Sequence, residues 1–466
     1  MKFKYLLLIA LLGLAAACNK GNDAQHPVTK PEAATRSKAA PEWAKNANIY
    51  EVNIRQYTPE GTFNAFAKHL PRLKAMGVDI LWIMPIFPIS ETKRKGILGS
   101  YYAVSDFRTV NPKFGTMEDV QALIQQIHDL DMKVILDWVP NHTGWDHVWI
   151  KNHPDFYTKD STGNITDPLD SRTGKPFGWT DVADLNYDNP ELRKTMTEDL
   201  LFWLKEMKVD GYRCDVAAEV PDDYWQEVIP KLREANPDLF MLAEAEKPSH
   251  RNLELFTMSY GWSFHRLMNE IAQGKKEPSA IDKWYKTDRD SFKTGYHMQF
   301  ITNHDENSWN GSEYERMGKA VDAMAVLAFT FDGMPLIYSG QEAAMSKRLK
   351  FFEKDTIDWD SYSKQDFYKT LLELKHQNQA LWNGADGGVL QRFDAGSPKI
   401  YSFYREKNGD KVIVLLNLSD TPQKATLKDP AVLGSFSDVF GRNTTTVRKG
   451  MTMTINPWGY LVLSSE

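Results

Sequence analysis

Cysteine is almost missing from this chain of 466 residues, which holds only Cys18 and Cys214. Two thiols cannot staple a chain of this length, so the small disulfide-framed class is excluded. Also missing is any run of 18 consecutive apolar residues, and no segment reads as a membrane-spanning helix. An excess of positive charge is absent as well: 56 Lys and Arg stand against 62 Asp and Glu, for a formal net charge of -6. With no basic field to attract a phosphate backbone, nucleic acid is not an expected partner. The chain is rich in aromatics, with 14 Trp, 19 Tyr and 23 Phe. Their flat apolar faces suit sugar rings and large cores alike. At about 100 to 200 residues per domain, the length predicts two to four domains.

The first residues read as a targeting signal. Lys2 and Lys4 precede an apolar run from Tyr5 to Ala17 that is too short to cross a bilayer, which predicts a secretory signal peptide over 1–17. The run ends Leu14-Ala15-Ala16-Ala17-Cys18 and resembles a bacterial lipobox, with Ala15 where a leucine is usual. Cleavage there leaves Cys18 for acylation, so the expectation is an exported lipoprotein, periplasmic or at the cell surface, held to a membrane by a lipid anchor. Residues 18–42 are polar, without apolar period, and read as a flexible tether. Cys214 then has no partner in the mature chain and reads as a small core residue.

From Trp43 onward, short runs of branched and apolar residues alternate with longer amphipathic stretches, which is a βα rhythm. The runs are Asn48–Asn53, Asp79–Met84, Lys133–Trp138, Gly211–Asp215, Leu239–Ala243, Thr257–Trp262, Met298–Asn303 and Met334–Tyr338. Eight such units predict the α/β class and a (β/α)8 barrel over 43–386. Between the third and fourth runs, residues 143–188 are dense in Asp, Gly, Pro, Thr and Trp without helical period. They read as a small irregular subdomain overhanging the strand ends. Residues 387–466 turn all-β, with Asn408-Gly409-Asp410 as a turn signal, and predict a C-terminal antiparallel β-sandwich.

A barrel of this kind builds its active site at the C-terminal strand ends. Four of these ends carry acids: Asp137 within Asp137-Trp138-Val139-Pro140-Asn141-His142, Asp215, Glu244, and Asp305 within Asn303-His304-Asp305. Asp215 and Glu244 are 29 residues apart, and Glu244 and Asp305 are 61 apart, close to one and two βα units of roughly 31 residues. The carboxylates therefore share one mouth. Crowded acids raise one another's pKa, which suits retaining glycoside hydrolysis: one carboxylate attacks and a second, protonated, serves the leaving oxygen. Arg213 can hold Asp215 ionised, or Asp137 can simply pair with it, while His142 and His304 offer donors to hydroxyls. Trp145, Trp149 and Trp179 in the overhang read equally as sugar platforms or as that subdomain's own core.

Asp-x-Val-x-Asn-His at 137–142, Gly-x-Arg-x-Asp at 211–215, Glu244 and Asn-His-Asp at 303–305 resemble the four signature segments of the α-amylase family, glycoside hydrolase family 13. Weaker segments agree at 77–85, 183–186 and 333–340, so the likeness runs in order through nearly the whole mature chain. It implies hydrolysis of α-1,4-glucosidic bonds in starch-derived maltodextrins, with Asp215 as nucleophile, Glu244 as acid/base and Asp305 binding sugar hydroxyls. It also implies that Tyr102 stacks beneath the sugar and that Asn141 and Asp184 are calcium ligands. The run Asp215-Val216-Ala217-Ala218-Glu219-Val220 lacks the Lys-His of many α-amylases and looks more like the neopullulanase and cyclomaltodextrinase branch. Its usual extra N-terminal domain has no room here. Three alternatives therefore stay open: activity of that branch, α-glucosidase or transglycosylase action at the same site, and a non-catalytic glucan-binding protein. The oligomeric state is not legible.

Overall fold

The computed structural model describes residues 37–465; the signal peptide, Cys18 and the tether as far as residue 36 lie outside the described residues. Eight parallel strands close into a barrel. Numbered along the chain, with β4 and β5 reserved for the overhang, they are β1 (Ile49–Val52), β2 (Ile80–Ile83), β3 (Lys133–Trp138), β6 (Gly211–Cys214), β7 (Phe240–Ala243), β8 (Met258–Tyr260), β9 (Tyr296–Gln299) and β10 (Met334–Tyr338). Their order around the ring is β1-β10-β9-β8-β7-β6-β3-β2.

Period-two alternation splits each strand between two cores. Ile49, Ile80, Trp82, Ile135, Phe240, Leu242, Met298 and Leu336 fill the barrel's interior. Their chain neighbours Tyr50, Leu81, Ile83, Val134, Leu136 and Met241 face outward into the layer beneath the helices. The helix Met117–Asp129 shows how that layer forms: Thr116 and Asp119 close a capping box at its start, and Val120, Leu123, Ile124 and Ile127 supply one buried face. One close approach demands glycine. A Cβ on Gly211 would lie 1.8 Å from the carbonyl oxygen of Phe240 on the neighbouring strand.

The expected strands hold in type and order, and they differ at their ends. The strand expected over Met298–Asn303 begins two residues earlier and stops at Gln299. Phe300 and Ile301 are buried, but they lie on the chain leaving the sheet. Apolar sequence reports burial, whereas a strand also needs a ladder partner. The Asn303-His304-Asp305 segment therefore lies past the sheet, with His304 and Asp305 opening a helical turn that continues as the π-helical Glu306–Asn310.

The overhang is organised by a two-stranded antiparallel ladder, β4 (His142–Gly144) with β5 (Val182–Asp184), in the register His142↔Asp184. A short α-helix, Val148–Asn152, and a 3-10 turn, Pro154–Phe156, interrupt what reads from sequence as irregular. The C-terminal domain stacks a six-stranded antiparallel sheet, β11 (Gln391–Arg392), β12 (Ile400–Lys407), β13 (Asp410–Asn417), β18 (Tyr460–Ser464), β15 (Gly434–Asp438) and β16 (Asn443–Val447), on the pair β14 (Gln423–Leu427) and β17 (Met451–Ile455). Ile413, Leu415 and Leu463 of the large sheet share a core with Ala425, Leu427 and Ile455 of the pair. Asn408 and Gly409 both take positive φ, 52° and 100°, as the two-residue β12–β13 turn requires.

Candidate active site

Backbone pairing first fixes the carboxylates. The Asp215 N–H donates to the Trp138 carbonyl at 2.8 Å, and the Glu244 N–H donates to the Cys214 carbonyl at 3.0 Å, each just past its strand. Both acids therefore inherit the rigidity of the barrel. Arg213, fully buried on β6, lies between them. Its Nη1 donates to Asp215 Oδ1 and to Asp137 Oδ1, both at 2.8 Å, and its Nη2 stands 3.0 Å from Glu244 Oε2, off-line for a hydrogen bond. Its Nε donates to the Tyr260 hydroxyl at 3.2 Å. Trp82, Tyr260 and Tyr102 surround the guanidinium with rings at 5.0, 5.5 and 5.6 Å. These contacts hold the cation in a place where burial alone would oppose it.

Asp137 has no solvent exposure, and beyond Arg213 it accepts from Trp82 Nε1 at 3.1 Å and from the Tyr102 hydroxyl at 3.0 Å. That geometry makes it an anchor for its neighbours rather than a group open to substrate. Tyr102 lies nearly parallel to the His304 ring, centroids 5.6 Å apart, and is hydrogen-bonded to its Nε2 at 2.8 Å. His304 Nε2 also stands 3.4 Å from Asp305 Oδ2. His142 Nε2 stands 4.0 Å from Asp215 Oδ2, and burial pushes the His142 imidazole down to about 4, so it is neutral near pH 7.

The acids divide in their protonation. Burial pushes Glu244 up to about 8; Arg213 opposes this, and the charges of Asp215 and Asp305 add to it. Asp215 rises to about 6, driven first by burial and then held back by Arg213. Arg213 thus moderates the rise at Asp215 without reversing it. Near pH 7 the pair holds an ionised Asp215 beside a protonated Glu244, the division of labour that acid-assisted displacement uses.

Two participants carry no motif signature. Val216, the residue after Asp215, takes φ 45°, a left-handed conformation costly for a β-branched side chain, and its N–H donates to Glu244 Oε2 at 2.8 Å. Glu51, fully buried on β1, contacts His304 Nδ1 through Oε1, while its Oε2 has no hydrogen-bond partner. The only sequence signal for Glu51 is an acid in the apolar run Ile49-Tyr50-Glu51-Val52.

The overhang aromatics divide between the two roles. Trp149 is buried among Phe107, His147 and Phe156 and belongs to the core. Trp145 lies under the Lys93 ammonium, 3.2 Å from its ring centroid. Trp179, half-buried, stacks on Phe177 at 4.5 Å and meets the His142 ring edge-on at 5.9 Å, which puts it beside the acids.

Asn141 and Asp184 are brought together across the β4–β5 ladder, where the Leu185 N–H donates to the Asn141 carbonyl at 3.2 Å. Both are buried. Burial pushes the Asp184 carboxyl up to about 7, and no cation stands among the charges acting on it. Among the described residues there is no group of three or more His, Cys, Asp or Glu that could hold a metal. A hard ion here would draw on this carboxylate, the Asn141 amide oxygen and backbone carbonyls. Such a donor set fits calcium and would offset the unpaired charge of Asp184.

The family model of the α-amylase catalytic domain matches residues 40–383, and that of the maltogenic amylase C-terminal domain matches residues 390–462. Among known proteins, α-amylase 3 of Dictyoglomus thermophilum is 27% identical over 441 residues, covering 81% of this chain and 85% of its own. A cyclomaltodextrinase of Thermoanaerobacter pseudethanolicus is 24% identical over 438 residues, covering 84% of this chain and 73% of its own. Two solved structures superpose with a TM-score of 0.80, each covering 91% of this chain: an α-amylase from Lactobacillus plantarum at 28% identity, matched over 100% of its length, and a maltogenic α-amylase from Thermotoga neapolitana at 26%, matched over 99%.

Proposed function

This chain belongs to the α-amylase family of glycoside hydrolases, and we propose that it cleaves α-1,4-glucosidic bonds of starch-derived maltodextrins with retention of configuration. Asp215 attacks the anomeric carbon, Glu244 protonates the leaving oxygen and then activates water, and Asp305 binds sugar hydroxyls. Tyr102, His142, Arg213 and His304 position and stabilise the reacting sugar. One observation carries this reading: Asp215 and Glu244 reach two nitrogens of the same Arg213 guanidinium. Sharing one guanidinium keeps the two acids in one tight cluster, which supports the roughly 5 Å carboxyl separation that retaining enzymes use.

Asp215→Asn and Glu244→Gln should each abolish turnover of maltoheptaose while leaving the fold intact and maltodextrin still bound. NMR of the anomeric proton in the first minutes of wild-type hydrolysis should show the α product. Initial β product would mean direct attack by water and would make Asp215 a general base.

A second reading, cleavage of cyclodextrin or pullulan, is favoured by the match of residues 390–462 to the maltogenic amylase C-terminal domain and by the cyclomaltodextrinase relative. Product analysis on amylose, pullulan and β-cyclodextrin separates the two. We further propose calcium at Asn141 and Asp184, and export with acylation at Cys18. Labelled palmitate should enter the wild-type chain and not Cys18→Ser; equal labelling of both would remove the anchor.

A further inference from the structure

Trp309 and Ile97 are large apolar side chains left in solvent, 51% and 69% exposed. Trp309 is not isolated. Its ring centroid lies 5.0 Å from that of Phe351 and 5.7 Å from that of Phe352. Phe351 in turn lies 6.4 Å from Tyr102 and almost parallel to it, at 12°. A continuous file of rings thus runs from the floor of the catalytic cleft to the surface.

The backbone beneath these rings is tied down. Asn307, fully buried, donates from Nδ2 to the Lys347 carbonyl at 3.0 Å and accepts the Leu349 N–H at 2.8 Å. The Ser308 hydroxyl donates to the Leu349 carbonyl at 3.0 Å. On the other side, the Leu98 N–H donates to the Phe352 carbonyl at 2.9 Å, and Arg55 Nη1 donates to that of Phe351 at 3.3 Å. Two loops are therefore locked together while their aromatic faces stay open. Such pre-organisation lowers the entropy lost when a ligand settles on them.

Over Trp309, Phe351 and Phe352 opens a cavity of about 340 Å³, rimmed by Arg348, Lys350 and Glu353. Ligand clefts range over roughly 300 to 1,000 Å³. Flat rings edged with charged donors and acceptors complement a hexose, whose faces are C–H and whose perimeter is hydroxyl. Position selects the side of the substrate. Glu244, which serves the leaving group, follows β7, whereas the rings follow β9 and β10, and β10 stands opposite β6 in the ring of strands. A platform that continues from Tyr102, away from the strand that carries Glu244, suits the part of the chain that stays with Asp215.

We propose that Trp309, Phe351 and Phe352 form a binding subsite for glucose units on the non-reducing side of the bond being cut, setting how strongly the enzyme prefers longer glucans. This rests on the assignment of Asp215 as nucleophile and Glu244 as acid.

The test uses p-nitrophenyl α-maltosides with two to five glucose units, in which the leaving group is constant and only the non-reducing side grows. For the wild type, kcat/KM should rise with length. Trp309→Ala should lose roughly tenfold on the longest substrate, the size of one good contact, and little on the shortest. Phe352→Ala should behave alike. An equal loss at every length, or none at any, overturns the subsite. Calorimetric titration of maltoheptaose into Asp215→Asn, with and without Trp309→Ala, reads the same contact without turnover: weaker binding in the double variant supports it, and equal binding overturns it. A wild type that cleaves none of the series would instead count against the hydrolytic reading, and the titration would still decide the subsite.

Discussion

Glu51 is a carboxylate with no solvent exposure inside an otherwise apolar strand, and one of its oxygens has no partner. A buried acid of that kind is expensive unless a neighbour benefits, and here the neighbour is His304. Burial alone would push the His304 imidazole down, but Asp305 and Glu51 outweigh it and raise it to about 9. His304 is thus held as a cation at neutral pH, donating from Nε2 to the Tyr102 hydroxyl, which passes its own proton toward Asp137. Glu51→Gln removes the opposing charge but keeps the side chain's shape, so the titration of His304 should move down in pH. Imidazole NMR of histidine-labelled protein checks this, with a fall in kcat/KM near pH 8 as its consequence; an unmoved titration would show that Asp305 alone holds the proton. The acids after β6 and β7 and before the π-helical turn are legible from sequence, since a charged residue at regular βα spacing has few other reasons to be there. Glu51 and the left-handed Val216 are not, because one lies in an apolar run and the other exists only as a backbone angle.

Between barrel and overhang, the β4–β5 ladder shows how an element can carry an electrostatic requirement. Pairing His142 with Asp184 puts one acid in a buried joint with no basic side chain acting on it, and the Asp184 carboxyl rises to about 7. Calcium held there by Asp184 and Asn141 would bind the folded joint and not the unfolded chain, so it would stabilise by mass action. A chelator should therefore lower the thermal midpoint by several degrees, with recovery on adding calcium back and a smaller response in Asp184→Asn. A midpoint indifferent to chelation would remove the ion. The barrel strands are legible because both of their faces are buried and the runs are mostly apolar. Strand β16, Asn443–Val447, reads Asn-Thr-Thr-Thr-Val, with only Val447 buried, and hides from a search for apolar alternation. Its partner β15 is equally polar, whereas the Asn408-Gly409 turn announces the hairpin before it.

The whole molecule is joined through Arg405, a fully buried residue of β12. Its Nε donates to the Gly388 carbonyl at 2.7 Å, Nη1 to the Phe331 carbonyl at 2.6 Å and Nη2 to the Trp382 carbonyl at 3.0 Å. A single guanidinium therefore satisfies carbonyls from the end of a barrel helix, from the linker and from the first residues of the sandwich. Arg405→Ala leaves these acceptors buried and unpaired, at roughly 1 to 3 kcal/mol each, and opens a cavity between the domains. The expected outcome is a thermal midpoint lower by several degrees. Because Arg405 touches none of Asp215, Glu244 or Asp305, kcat/KM on maltoheptaose at 25 °C should stay within about twofold of the wild type. Calorimetry and steady-state kinetics on the same preparation separate the two effects. A stable variant with damaged kinetics would mean that the sandwich shapes the cleft through the barrel rather than merely bracing it.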